Sequence, residues 1–135
     1  MASIVGNADT CRVSFACGSS LATTTSQYRV AYISASMTAC LATNAADLAI
    51  GITDSYQSAG SDAVSVITTG LAKGIMRTGT ASAIGDILVA DAAGTLDVAI
   101  TNTTDQNIIG RALDVPATGG AVTVYVNIQN TLTAP

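Results

Sequence analysis

The sequence predicts an all-β fold, a sandwich or a barrel, on three observations. Apolar residues recur in short β-branched runs or with a period of two, and nowhere with a sustained period of 3.6. Gly, Asn, Asp and Ser break these runs at short intervals, as expected for many short strands joined by turns. A strand–turn–strand unit also occurs twice, as DLAIGITDSYQSAGSDAVSVITTG over Asp47–Gly70 and as DQNIIGRALDVPATGGAVTVYVNI over Asp105–Ile128. In the first copy Ile50-Gly51 leads to Asp54, a turn at Gly60 and Val64-Ser65-Val66. In the second, Ile109-Gly110 leads to Asp114, a turn at Gly119 and Val122-Thr123-Val124. The two copies suggest an internal duplication, with two β-units facing each other across one core.

The elements are taken in chain order. Residues 1–27 carry polar runs at Ser19-Ser20 and Thr23-Thr24-Thr25-Ser26, and their apolar residues, Ile4, Val5, Val13, Phe15 and Leu21, stand apart from one another. Such a stretch is expected to be irregular, either an extended N-terminal arm that orders against something else or a loose terminus with no role. Tyr28–Ser34 is β-branched and aromatic and reads as a strand, and Met37–Thr43 as a second. Asn44–Asp47 turns the chain into a third strand over Ala49–Asp54, where Gly51 marks a bulge or a close backbone approach. Tyr56–Asp62 is a turn region and Ala63–Thr69 a fourth strand. Gly70, Gly74 and Gly79 punctuate the next stretch, so a separate short strand is expected around Leu71, Ile75 and Met76. Alanine favours one helical turn at Thr80–Ile84. Ile87–Ala90 and Leu96–Thr101 pair across the turn Asp91–Gly94, and residues 102–106 form a loop. Val122, Val124, Val126 and Ile128 alternate with Thr123, Tyr125 and Asn127, giving one apolar and one polar face. The organisation expected is an arm over 1–27, a β-rich domain over 28–130 and a short tail over 131–135.

Composition excludes several classes of function. The 135 residues fit one domain and include 24 Ala, 19 Thr and 12 Ser, with no His, Glu or Trp. Charged residues are 10% of the chain and the net charge is −4. Lys73 and four arginines do not make the clustered basic surface that nucleic-acid binding needs. No run of 18 apolar residues offers a helical membrane span. The apolar stretch before Cys17 is too short for a signal peptide, so the chain is expected in a cytoplasm or in a particle assembled there. Cys11, Cys17 and Cys40 are expected to be reduced, small and buried, though a Cys11–Cys17 bridge is open to them.

Chemistry is sparse as well. Without His, the commonest general base and metal ligand is missing. The acids are nine Asp; Asp47, Asp62, Asp86, Asp91 and Asp105 sit in expected loops, where a carboxylate bonds nearby backbone N–H groups. Asp91 and Asp97 are too few oxygen ligands for a calcium loop. Neither Lys73 nor the glycines fit a phosphate loop or a dinucleotide fingerprint. No catalytic residue, cofactor site or metal site is expected. Low charge with abundant Ala, Thr and Ser suits close subunit packing, and Thr- and Val-rich edge strands favour oligomerisation.

One resemblance bears on function. Asn44–Thr53 followed by Ala59-Gly60 and Val64–Gly70, then Gly85–Gly94 (GDILVADAAG) and Ile109–Leu113 (IGRAL), resemble in that order the head decoration, or capsid cement, proteins of tailed bacteriophages. The resemblance spans about residues 28–128. It implies a small β-tulip or barrel-like fold that forms a homotrimer on the outer capsid surface of the virion and clamps the major capsid protein, without catalysis. The arm, Ala2–Thr25, would then run along the capsid or pair with a capsid strand, with Ile4, Val5, Val13, Phe15 and Leu21 as the contact residues. Two other classes compete. Another virion component, such as a head fibre base or a carbohydrate-binding module, predicts an exposed cluster drawn from Phe15, Tyr28, Tyr32, Tyr56 and Tyr125. A small hydrolase predicts two converging Asp carboxylates in a pocket.

Overall fold

The structure, a computed structural model, describes residues 10–21, 27–54, 63–99 and 106–130. Nine strands are found there: β1 (Cys11–Cys17), β2 (Val30–Ala35), β3 (Thr38–Leu41), β4 (Ala49–Thr53), β5 (Ala63–Ile75), β6 (Ile87–Ala90), β7 (Leu96–Val98), β8 (Asn107–Ala112) and β9 (Ala121–Asn130). They hydrogen-bond in the order β1-β3-β2-β4-β5-β9-β8-β6-β7. A further antiparallel pairing of β1 with β5 closes the first five strands into a barrel. The fold is all-β, as expected, and barrel-like.

The second half repeats the first. The first half of β5 pairs with β1 and β4, and its second half pairs with β9. Just past β5, Met76 bridges Leu96 in parallel, which brings β7 against that strand and completes a second ring, β5-β9-β8-β6-β7. Most of the registers correspond. Ala31 pairs with Leu41 and Gly51 in barrel one, and Leu88 with Val98 and Gly110 in barrel two. A bulge falls between Ala31 and Tyr32 opposite β4, and between Leu88 and Val89 opposite β8. Hydrogen bonds outside the ladders also correspond. Ala42 N–H donates to the Val30 carbonyl and Ala99 N–H to that of Ile87, at 3.0 and 2.8 Å. Gly18 N–H donates to the Ala39 carbonyl and Arg77 N–H to that of Leu96, both at 2.8 Å. The parallel β1–β3 pairing of barrel one thus has its counterpart at Met76 and Leu96. β5 belongs to both barrels, closing one and opening the other.

Two glycines explain why the repeat could be read in part from the sequence. A Cβ on Gly51 would run into the carbonyl of Ile67, and a Cβ on Gly110 into that of Tyr125, the equivalent residue. Where one backbone lies this close to another, only glycine fits. Val64 and Val66 in β5, and Val122 and Val124 in β9, are fully buried on alternate positions.

The interiors are filled differently. Barrel one holds Leu21, Ala31, Ala39, Val64 and Val66, with Phe15, Cys17, Leu41 and Ile50 packed against them. In barrel two the positions of Ala31 and Ala39 are taken by Leu88 and Leu96, and that of Phe15 by Gly74. A Cβ on Gly74 would collide with Leu96, and Ile52 Cδ1 from barrel one comes within 3.6 Å of that point. A large side chain from the strand is replaced by large side chains from the facing hairpin, so each barrel is packed by its own set. The larger cluster joins barrel two to the outer face of barrel one at Val30, Ile52 and Ile67.

Four sequence expectations change. Residues Cys11–Cys17 are a strand of the body, not irregular. Ala63–Ile75 is one strand that runs through Gly70 and Gly74 instead of two. The helical turn expected at Thr80–Ile84 is absent; a turn at Ile84-Gly85 stands there, where Asp86 accepts the Ala83 N–H at 2.8 Å and Gly85 takes a φ of 88°. None of the three cysteines is fully buried: Cys11 is exposed, Cys17 and Cys40 are half-buried, and all three are free thiols.

Candidate interaction site

The carboxylates expected in loops do the work of loops. Asp47 accepts the N–H groups of Thr43 and Asn44 at 2.6 and 3.3 Å and the Thr43 hydroxyl at 3.0 Å, holding the turn before β4. Asp114 accepts the Thr123 N–H at 2.9 Å and its hydroxyl at 2.8 Å. These bonds, the backbone one first, hold the Asp114 carboxyl below the usual carboxylate range, and Lys73 adds to the effect. Arg77 lies 3.5 Å from Asp91 and 3.2 Å from Asp97, so the pair that suggested a calcium loop faces a guanidinium. Asp54 is paired with Arg12. The described carboxylates are thus each engaged in a turn or an ion pair. Burial, with Cys40 nearby, pushes the Cys17 thiol up.

The residues expected to meet a partner fall in different places. Ile4 and Val5 lie outside the described residues. Val13 is on β1 and 36% exposed. Phe15 points into barrel one and is half-buried. Leu21 is fully buried in the chain's own core, which removes it from the contact set. The short 3₁₀ turn Ser19–Leu21 after β1 places it there, with the Leu21 N–H donating to the Gly18 carbonyl. The aromatic residues do not form one platform: Tyr32 packs on the larger core cluster, Tyr28 and Tyr125 line separate recesses, and Tyr56 lies outside the described residues.

Two recesses can be placed among the described residues. One, of about 380 Å³, lies at the waist where the barrels join, with Arg12, Tyr28, Asp54 and Lys73 on its walls. The other, of about 240 Å³, lies on the outer face of barrel two, among Ile87, Ile108, Arg111, Tyr125, Asn127 and Gln129. The repeat gives this second recess its meaning. Ile87, Ile108, Arg111 and Tyr125 are the counterparts of Val30, Ala49, Ile52 and Ile67. Those four are buried beneath barrel two, whereas Tyr125 is 44% exposed and Arg111 is exposed. Leu113, Val115 and Ile84 extend the exposed apolar surface at the adjoining end of the barrel, where Gly85 N–H meets the Ala112 carbonyl at 2.7 Å. The arrangement has the make-up of a protein interface, with Arg and Tyr at its centre. Sequence reasoning offers Tyr125 only as one aromatic among five; the signal that could have found the face is the mismatch between Ile52 and Arg111 after an aligned glycine.

No protein-family model matches the chain, and no curated protein sequence does. Among solved structures the chain is similar to the N base of the head fibre protein gp8.5 of bacteriophage phi29, with a TM-score of 0.60 at 16% identity over 92% of this chain and 99% of that one.

Proposed function

We propose that this chain is a structural component of a phage head, and that it serves as the base of a head appendage. The observation that carries the reading is the shared fold with a head fibre base along nearly the full length of both chains. Two further features favour it over an enzyme. The described carboxylates are held in turns and ion pairs, and the exposed face around Arg111 and Tyr125 has the composition of a protein interface. The major capsid protein is the partner this reading requires, on the outer surface of the virion, and a homotrimer would suit a three-fold site. Many copies on one particle would convert weak contacts into stable attachment.

Capsid cement is the second reading, favoured by the ordered glycine motifs from Asn44 to Leu113. A protein that binds only the assembled shell stabilises that shell by mass action. Of the arm residues, Val13 with Ile4 and Val5 remain the proposed capsid contacts.

The test is immunogold labelling of phage particles from cells that express the protein, with antibody raised against the purified chain. Gold on heads supports the proposal, and unlabelled particles of every kind overturn it. Heads lacking the protein separate the two readings. Rupture at a lower temperature than decorated heads identifies a cement, and unchanged rupture identifies an appendage base.

A further inference from the structure

Within the chain, barrel two grips barrel one with a turn. Residues Ala92–Gly94 form a short 3₁₀ turn between β6 and β7, and this turn sits on barrel one beside Arg29, Val30 and Leu41. Gly94 N–H donates to the Ala42 carbonyl at 2.8 Å, and Arg29 Nη1 to the Ala93 carbonyl at 3.3 Å. A Cβ on Gly94 would lie 2.9 Å from both Leu41 Cδ2 and the Val30 carbonyl, so the turn is pressed flat onto that face.

Both halves of this contact recur exposed. The counterpart of Gly94 is Met37, at the tip of the β2–β3 hairpin, and both have left-handed backbone, with φ of 70° and 52°. Met37 is 58% exposed, and Ser34, Ala35 and Ser36 beside it are exposed too. The counterparts of Arg29, Val30, Leu41 and Ala42 are Asp86, Ile87, Val98 and Ala99, all of them part-exposed. Ile87 opens into the recess with Arg111 and Tyr125. One end of the molecule therefore carries an exposed tip, and the other carries the kind of face such a tip grips.

We propose that the chain self-associates head to tail, the Met37 hairpin tip of one copy entering the Ile87–Arg111–Tyr125 face of the next. The occupant is a second copy because the chain itself already makes the equivalent contact once, and the tip that would make it again is exposed. A methionine suits the role: its unbranched side chain fills an irregular recess where the internal contact uses a bare glycine. The shared strand β5 has no counterpart between copies, so the repetition concerns the turn and its face and not the whole barrel pair. A head-to-tail contact closes into a ring or propagates as a filament, depending on the rotation between copies. The proposal stands apart from the head-protein reading, since it depends on the repeat alone.

The test is the solution mass by light scattering, from micromolar to millimolar protein, of the wild type, Met37→Gly, Tyr125→Glu and an equimolar mixture of the two variants. Met37→Gly places at the tip the residue that its counterpart has, so the hairpin keeps its backbone; unchanged circular dichroism and melting verify both folds. The wild type is expected to exceed the monomer mass, and each variant to weaken association at least about tenfold. The mixture is expected to regain a dimer and nothing larger, because one variant keeps its face and the other its tip. A wild type that is monomeric throughout overturns the proposal. So do variants that associate like the wild type, or loss of association in Tyr125→Glu alone, which would mark a symmetric contact through the recess. A mixture that stays monomeric overturns it as well.

Discussion

Barrel one and barrel two share strand order, most of their register, the bulge opposite β4 and β8 and the hydrogen bonds between their loops, yet differ at the positions that decide how each is filled and what it touches. Inside, barrel one sets Phe15 against Ala31 and Ala39, while barrel two sets Gly74 against Leu88 and Leu96. Outside, Val30, Ile52 and Ile67 are buried by the second barrel, while Ile87, Arg111 and Tyr125 face outward. Two kinds of constraint separate here. Backbone geometry fixes Gly51 and Gly110, since any Cβ there meets a carbonyl. Side-chain volume and polarity are set barrel by barrel, according to whether a neighbour is present.

The largest expected effect comes from exchanging residues across the repeat. Ile52→Arg gives barrel one the residue of barrel two and buries an unpaired charge; it should lose about 4 kcal/mol of unfolding free energy in a urea titration. The reverse change, Arg111→Ile, falls on an exposed site and should stay within about 0.5 kcal/mol. Equal effects would show that the two faces are not differently covered.

Gly51→Ala and Gly110→Ala should each cost about 3 kcal/mol, because each forces a methyl group against a carbonyl in the ladder. A large loss at one site and none at the other, read from thermal melts, would break the equivalence of the hairpins. Filling comes next. Leu96→Ala should cost about 3 kcal/mol by opening a cavity in barrel two. Ala39→Leu, its mirror, should cost about 2 kcal/mol by overpacking barrel one, and adding Phe15→Ala should return part of that loss.

The smallest effect is a pH dependence. The pKa of Asp114 is lowered in the folded state by its bonds to Thr123, so its contribution is present above the unfolded carboxylate value and is lost as pH falls through the folded one. Wild-type stability should therefore drop in acid below about pH 4, and Asp114→Asn should shallow that drop. An acid limb identical in the two proteins would remove Asp114 from it. At the equivalent loop of barrel one, Asp54 N–H meets the Ser65 carbonyl at 3.3 Å and the carboxylate turns to Arg12.

The same division explains what could be read from the chain. The all-β class and the paired units over Asp47–Gly70 and Asp105–Ile128 are legible, because backbone approach demands glycine and buried alternate positions demand valine. The earlier halves of the repeat are not, since Ala31 answers to Leu88, Tyr32 to Val89 and Cys40 to Asp97. Only strand pairing relates these, and pairing leaves no residue signature when the interiors are packed differently. β1 is hidden in the sequence because residues 11–14 are exposed and only Phe15 and Cys17 of the strand pack inward. Gly70 and Gly74 look like breaks in β5, but Gly74 is small because Leu96 and Ile52 occupy its side-chain space. The candidate face is invisible in the sequence because it is defined by what covers its twin.

That asymmetry between twin faces is tested most directly by native-state thiol labelling at dilute, monomeric protein, with cysteine placed at Ile52→Cys or at Arg111→Cys and the modified peptide read by mass spectrometry. Cysteine at position 111 should react as readily as the exposed Cys11, and cysteine at position 52 only as the protein unfolds. Equal labelling rates at the two positions would contradict the central claim that one face is covered within the chain and its counterpart is left open.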